Sequence, residues 1–397
     1  MDRRVLGTIF LTIFLDLVGF GIVLPLLPRF AAAHGASEWQ IGLLMATYSL
    51  AQFVFAPFWG GLSDRVGRRP VLLFSIGGSV ISYVLFTFAS TLEVLFISRA
   101  IAGAMAANIA TAQAYVADTT APEDRAKGMG IVGAAFGLGF VFGPAIAGIT
   151  AHLAGEIDAD PQIAVGLVAA AFSLLDLCLA GALLRESLPR SRRGIASAGP
   201  QPPRLARMAA ALTAPGTGIP ILLFLLTTLA WSQLEPTLAR LAQERFAFNE
   251  ARTGYVFAYL GLVVAVVQGG VTGRLAQRVG ERPLIVLGTV LLGVGLLLLA
   301  SVGSVAGLHW ALLAVGLGQA LNAPGIHALI SRAAAATEQG STFGVTQGFS
   351  SLARLAGPIA GGWLFGLRHE YPFWFGALLM LLGALLAIAL LRGSARD

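Results

Sequence analysis

An eleven-residue string, GGLSDRVGRRP at residues 60–70, returns 213 residues later as GRLAQRVGERP at residues 273–283, and each copy lies between long apolar runs. Leu62, Arg65, Val66, Gly67, Arg69 and Pro70 reappear as Leu275, Arg278, Val279, Gly280, Arg282 and Pro283. A second marker, Gly143-Pro144, returns as Gly357-Pro358 at an offset of 214. Two unrelated markers at nearly one offset make the chain a tandem of two similar halves. Tandem halves in an apolar chain are the sequence mark of a transporter.

The solvent of such a chain is lipid. Only 12% of its residues are charged and 56% are hydrophobic, against roughly 25% charged in a soluble domain. Apolar runs of about 20 residues, the length of helix that crosses a hydrocarbon core, recur along the whole chain. Twelve are expected, from Val5–Pro28 to Phe373–Leu391, six in each half. Residues 185–215 are the one long polar connection, rich in arginine, proline and serine, and this composition favours an extended linker. The expected organisation is a six-helix bundle over residues 1–184, a cytoplasmic linker over 185–215 and a second six-helix bundle over 216–397.

Charge placement reads as topology. The formal net charge is +6, and with the amino terminus inside, the inward segments carry 19 basic residues against five outward. The positive-inside bias therefore puts both termini in the cytoplasm. A nucleic-acid partner is excluded by the same distribution. The first span, with Asp16 inside it and eleven similar runs after it, is read as a retained helix rather than a cleaved leader. Cys178 is the only cysteine, so disulfides within the chain and cysteine-based metal sites are excluded, and the residue is expected in the core.

In the first copy of the string a helix is expected to end at the glycines, with a tight turn carrying Asp64, Arg65, Arg68 and Arg69 before Pro70 opens the next helix. Asp64 and Arg68 are close enough to pair, and Asp118, at the cytoplasmic end of the fourth span, is placed to join them. Such a cluster is either a latch that forms in one conformation and breaks in another or a topology anchor only. In the second copy Gln277 and Glu281 replace Asp64 and Arg68, so that latch is weaker or differently wired.

Ionisable residues inside spans are costly unless they face protein or water. Asp16 in span 1, Arg99 in span 4, Asp176 in span 6, Glu235 in span 7 and Arg354 in span 11 form that set. Asp16 with Arg99 is the first expected pair. Asp16, Arg99, Glu235 and Asp176 are the proton-coupling candidates, and the alternatives are a structural ion pair, a wet outer rim at Glu235 and an inward-snorkelling Asp176. Glycine is abundant at 49 residues, and small residues let membrane helices approach closely.

These residues carry a resemblance. The first string matches the loop signature of the major facilitator superfamily, G-x-L-a-D-R-x-G-R-[RK]-x-x-L, through Gly60, Leu62, Asp64, Arg65, Gly67, Arg68, Arg69 and Leu72. By that resemblance Asp64, Arg68 and Asp118 control the switch between inward and outward states. GLGFVFGPAIAG in span 5 resembles the element that marks drug:proton antiporters, through Gly139, Gly143 and Pro144, with Ala147 in place of a closing glycine. Gly357 and Pro358 are the counterparts in span 11, and both sites are candidate hinges, with a structural kink as the alternative. Leu95, Arg99 and Gly103 are similar to the superfamily's span 4 element, implicated in proton coupling.

The first 190 residues look most like the bacterial tetracycline efflux pumps of the twelve-helix drug:proton antiporter branch. The resemblance implies an all-helical membrane fold with spans 1, 4, 7 and 10 lining a central cavity. Asp16, Gln52, Asn108, Glu235, Gln268, Gln319, Asn322 and Arg354 are the substrate-cavity candidates. Those pumps carry acidic residues in spans 3 and 9 and a histidine in span 8, where this chain has Ser82, Leu292 and Val264. A magnesium–tetracycline site of that type is therefore not expected.

The function implied is proton-coupled export of a lipophilic, drug-like molecule by a monomer in the bacterial inner membrane. Its partners are the substrate, protons and lipid, with no cofactor or metal. The alternative is proton-linked symport or facilitated passage of an organic anion or zwitterion. A membrane enzyme or a non-transporting receptor is the contrasting class, and the sequence holds no nucleophile elbow, His-Glu-x-x-His helix or phosphate loop to support an enzyme.

Overall fold

The computed structural model describes residues 3–106, 109–120, 125–189, 191, 193, 204–213, 216–333 and 339–393. Among them the chain is helical throughout. The first half runs α1 (Arg3–Val23), α2 (Leu27–Ala33), α3 (Glu38–Val66), α4 (Arg68–Thr87), α5 (Leu92–Ala106), α6 (Ile109–Thr119), α7 (Arg125–Glu156) and α8 (Pro161–Leu183). A short linker helix, α9 (Arg204–Thr213), precedes α10 (Gly218–Phe246) and α11 (Glu250–Val267). After a π-helical turn over Gln268–Thr272 come α12 (Gly273–Val279), α13 (Glu281–Ala300), α14 (Val305–Ala333), α15 (Gln339–Leu367) and α16 (Tyr371–Gly393).

Eleven helical segments among the described residues are long and apolar enough to cross a membrane. The expected eleventh span is the exception. As α15 it has the length, 29 residues, but Arg354, several serines and a series of glycines dilute its apolar character. A spanning helix of this kind needs protein or water on part of its circumference, because lipid cannot satisfy polar groups.

Both halves use the same pairings. α1 packs on α7 and α8 as α10 packs on α15 and α16, and α4 packs on α5 and α8 as α13 packs on α14 and α16. Each interior is closed by its own apolar cluster. Ile9, Ile13, Leu72, Ile76, Tyr115 and Val116 belong to the first, and Ile221, Leu223, Ile285, Ile326, Ile330 and Phe349 to the second. Outward, large apolar side chains such as Phe74, Leu297, Trp310 and Leu381 stand exposed. In water these would be a liability, and in a bilayer they are the solvated surface. Cys178, expected in the core, is exposed on α8. Its small apolar thiol suits a lipid-facing position equally well, so residue type alone did not discriminate.

The chain falls into two compact units whose borders do not follow the linker alone. The first unit is Met1–Ala36, Thr47–Gly199 and Phe248–Ala258, and the second is Ser37–Ala46, Pro200–Ala247 and Tyr259–Asp397. Each unit thus takes in one short segment from the other half of the sequence: the start of α3 belongs to the second unit and the start of α11 to the first.

Candidate functional site

The charged loop is built around a single glycine. α3 does not stop at Gly60 and Gly61 as expected but continues to Val66, so Asp64 and Arg65 sit on its last helical turn. The reversal is made by Gly67 alone, at φ +112°, a conformation closed to residues with a Cβ. Gly60 and Gly61 have open space where a Cβ would sit and so need not break the helix. Arg68, at the first position of α4, is buried and spans the cluster. Its Nη1 donates to Asp64 Oδ1 at 2.5 Å and to Ser63 Oγ at 2.7 Å, and its Nε donates to Asp118 Oδ2 at 3.1 Å. Arg69 donates to the Gly181 carbonyl at 2.7 Å, and Arg65 is exposed.

Two further residues complete this cluster, and the sequence reading missed both. Glu186, just past α8, accepts the backbone N–H of Arg68 at 2.9 Å and that of Leu188 at 3.0 Å. It thereby satisfies an amide at the start of α4 that has no helical partner, and its charge complements the helix dipole. Ser187 donates to Asp118 at 3.3 Å. The only sequence signal was an acidic residue directly after a span, which by itself says nothing of a partner 118 positions away.

Within the membrane the first unit gathers Asp16, Arg99, Tyr48, Tyr83 and Asp176. Arg99 is 1% exposed; its guanidinium stands over the Tyr48 ring, 5.9 Å from the centroid, and its Nε and Nη2 make no hydrogen bond. The expected direct pair of Asp16 with Arg99 is not formed among the described residues. Instead Tyr83 has Asp16, Arg99 and Tyr48 as its charged and polar neighbours. Asp16 keeps partial exposure. Asp176 does not snorkel: it has no exposed surface and faces Thr12 and Asp16 from α8. Gln52 is nearly buried, its amide donating to the Ala106 carbonyl at 3.2 Å. Asn108 lies outside the described residues.

The second unit holds a smaller constellation. Glu235 on α10 accepts from the Trp231 side chain and has Arg354 of α15 as its charged neighbour. Gln319 is part-buried on α14 with its Oε1 unbonded. Asn322 has no exposed surface and donates to Thr289 Oγ1 at 2.9 Å and Thr227 Oγ1 at 3.4 Å, joining α14 to α13 and α10. Gln268 opens the π-helical turn and is exposed into a cavity of about 620 Å³ lined also by Thr272, Gln277, Glu281, Leu321 and Pro324. Such turns break helical register and recur at functional positions. Among the described residues no cluster of histidine, cysteine and carboxylates has the makings of a metal site.

The Gly-Pro positions lie at close helix crossings. A Cβ on Gly139 would collide with Leu17, and one on Gly143 with the backbone of Gly21, so α7 rides against the α1 backbone. In the second unit a Cβ on Gly357 would strike Ser232, and Ser232 donates its hydroxyl to the Ala353 carbonyl at 2.9 Å. Pro144 and Pro358 lie inside α7 and α15 respectively.

Comparison with known proteins agrees with this architecture. The family description "Major Facilitator Superfamily" matches residues 9–312 and 269–397. The chain is 31% identical to the class E tetracycline resistance protein of Escherichia coli over 382 residues, covering 93% of this chain and 90% of that one. It is 34% identical to the class C protein of the same organism, covering 88% and 86%. Among solved structures it resembles the human organic anion transporter MFSD10 (TETRAN) at 27% identity and a TM-score of 0.73, over 97% of this chain and 99% of that one. Duplicated bundles, lipid-facing apolar surface, buried charges and a family match across nearly the whole length lead to one conclusion: the chain belongs to the Major Facilitator Superfamily and is an integral membrane transporter.

Proposed function

We propose that the protein is a proton-coupled secondary exporter of lipophilic, drug-like molecules, working by alternating access with both termini in the cytoplasm of a bacterium. The observation that carries this reading is the first unit's charge cluster. Asp16 is partly exposed while Asp176 beside it, and Arg99 beside Tyr83, are sealed, so one carboxyl is open to protons and substrate within a fixed electrostatic surround. Asp16, Arg99 and Asp176, with Glu235 beside Arg354 in the second unit, are the proton-coupling set. Gaining a proton at Asp16 or Glu235 changes the local charge by one, which weakens a bound cationic substrate and favours one face. A ligand drives such switching only through unequal affinity for the two states.

Gln52, Asn108, Gln268, Gln319 and Asn322 belong in this reading to the substrate path or its immediate support. The cluster of Asp64, Arg65, Arg68, Arg69 and Asp118 around Gly60 and Gly67 is the inner switch, and Gly139, Gly143, Pro144, Gly357 and Pro358 are the flexing points of α7 and α15. Relatives named for tetracycline resistance support export of a drug-like compound. A magnesium–tetracycline site of the type expected for such pumps is not supported, however, since Ser82 donates to the Ser98 carbonyl inside a helix contact and Leu292 is 1% exposed, leaving no acid at either place.

The test is efflux of a lipophilic cationic dye such as ethidium from vesicles with an imposed pH gradient. Collapsing the gradient should slow efflux by about tenfold or more, and Asp16→Asn should remove that dependence. Efflux indifferent to the gradient would refute the coupling. A second reading, transport of an organic anion, is favoured by one observation: Arg99 is fully buried with two unbonded nitrogens, a preformed anion partner. Its likeness to a solved organic anion transporter points the same way. Gradient-driven accumulation of a labelled carboxylate, with no movement of the dye, would select it.

A further inference from the structure

His34 closes α2 and also stands at the end of α4. It directly follows the last helical position of α2, and its Nδ1 lies 2.8 Å from the Phe30 carbonyl oxygen, one turn back. Its Nε2 lies 3.0 Å from the carbonyl oxygen of Ala89, just past the end of α4. Both partners are carbonyl oxygens, which only accept. A neutral imidazole has one N–H and one lone pair, so it can bond one of these oxygens and must turn its lone pair on the other. The imidazolium donates from both nitrogens and satisfies both.

The backbone dipoles favour the same form. Carbonyls at a helix C-terminus carry partial negative charge and stabilise a cation there. Phe30 lies in the last turn of α2 and Ala89 just beyond α4, so two helix C-termini meet at one ring. That ring is part-buried, so water can still deliver and remove a proton. His309 gives the contrast. Its Nδ1 lies 2.8 Å from the Val305 carbonyl oxygen and its ring packs against that of Tyr259, an arrangement the neutral form completes.

The internal repeat supplies an independent observation. An offset of 211 carries His34 to Arg245 and Ala89 to Ala300. Arg245 lies in the last turn of α10, and its Nη1 donates to the carbonyls of Ala300 at 3.1 Å and Val302 at 3.0 Å, at the end of α13. Its Nη2 donates to Glu370 at 2.7 Å. In the second unit this joint between two helix ends is therefore made by a guanidinium, which keeps its charge at any physiological pH. In the first unit it is made by a side chain that titrates between about pH 5 and 8.

The other charged groups on the surrounding elements have partners of their own. Arg29 on α2 pairs with Glu250 of α11. On α8, Asp160 accepts the amides of Gln162 and Ile163, and the neutral Gln162 side chain shares the Ala89 carbonyl at 2.9 Å. Glu93, at the start of α5, is exposed and bonded to Thr91 and to its own backbone. Among the described residues no carboxylate bonds the His34 ring, so the two carbonyls are what a proton on it would meet.

We propose that His34 is a proton-binding site, separate from the coupling set, at which a bound proton ties α2 to the end of α4. Arg68 and Ala89 flank opposite ends of α4, so the site lies at the membrane face opposite the Arg68 cluster. With both termini in the cytoplasm, the reading on which this clause rests, that face is the outer one and the site reports external pH. In acid both bonds are made. As pH rises through the imidazole range one of them is lost and α2 loosens, while the Arg245 joint is unchanged.

The test is amide hydrogen exchange on the full-length protein in lipid nanodiscs at about pH 5.5 and about pH 8, corrected for intrinsic rates. Residues 27–36 and 86–91 should exchange about fivefold or more slowly at the lower pH, the scale of a cation at a helix C-terminus. Residues 240–247 and 298–304 should show no such difference and serve as the internal control. His34→Arg should give slow exchange at both pH values, and His34→Gln, neutral throughout, fast exchange at both. A misfolded variant would not give the first result. Wild-type exchange without pH dependence in the first two segments would overturn the site, as would a wild-type pH difference persisting in His34→Gln or in His34→Arg. Dye efflux in vesicles of the same protein separates this outcome from the coupling: exchange that follows pH while efflux ignores the gradient would retain the His34 site and reject proton-coupled export.

Discussion

The two copies of the charged loop share a backbone and differ in chemistry. In both, one glycine at positive φ reverses the chain, Gly67 at +112° and Gly280 at +84°. In the first copy that frame holds Arg68 between Asp64 and Asp118, with Glu186 capping the next helix. In the second copy the same two helix positions carry Gln277 and Glu281, which border a cavity beside a π-helical turn. Duplication preserved the fold because Gly67 and Gly280 meet a backbone requirement that no other residue type meets. It did not preserve the charges, which the backbone reversal does not require.

The comparison breaks most sharply at the two glycines. Gly67→Ala adds a Cβ at positive φ, costing about 1–3 kcal/mol, and drives it into the Glu186 carboxylate, which forfeits a charged hydrogen bond of about 1.5–3 kcal/mol. Gly280→Ala meets the backbone cost alone, since only Pro283 lies within 4 Å, at 3.9 Å. Thermal unfolding in detergent should therefore show the first variant less stable than the second by roughly the value of that hydrogen bond. Equal losses would mean that Glu186 contributes nothing to the loop.

A smaller effect is expected from the charges. Arg68→Ala removes three donors at once and should slow dye efflux by about tenfold or more, the scale of a conformational coupling free energy. Glu281→Gln keeps the shape of the side chain at the corresponding place and should change efflux by less than about threefold. Should the second variant be the more damaging one, the working switch lies in the second half and the assignment reverses.

The difference between what was legible and what was not follows from the kind of information each residue carries. Asp64 and Arg68 stood out because a loop glycine and a fixed spacing tie them together locally, and Asp118 because an acid at the end of the fourth span is placed to join them. The halves were legible because a duplication leaves its offset in every marker. Asp16 and Arg99 stood out in the sequence as charges that a bilayer does not tolerate unaided. Their direct pairing is not formed, and both instead neighbour Tyr83, a tyrosine that in an apolar span reads like any other packing residue. Asn322 was expected on the cavity and instead joins three helices, since an amide serves either purpose and only its neighbours decide. Arg29 with Glu250 and Arg240 with Glu38 form ion pairs near helix ends, where charged residues are ordinary and signal nothing, and the partners are 221 and 202 positions apart, beyond the reach of any local pattern.

The finest distinction between the halves concerns how equivalent helices are joined. In the first unit α4 meets α5 through the Ser82 hydroxyl, which donates to the Ser98 carbonyl at 3.0 Å. In the second unit α13 meets α14 through Asn322, whose amide reaches Thr289 while Gly288 and Gly318 bring the two backbones together. A serine bonded to a helical carbonyl adds one neutral bond to an acceptor that α5 already uses, so Ser82→Ala should cost about 0.5–1 kcal/mol. Asn322→Ala removes two donors and leaves a small void between α10, α13 and α14, yet also removes the unbonded Oδ1 and leaves Thr289 bonded to Ile285 at 2.7 Å. These partly cancel, and a net loss of about 1–2 kcal/mol is expected. If thermal unfolding finds Ser82→Ala the costlier change, the amide junction is not what holds the second unit together, and the glycine contacts alone must do so.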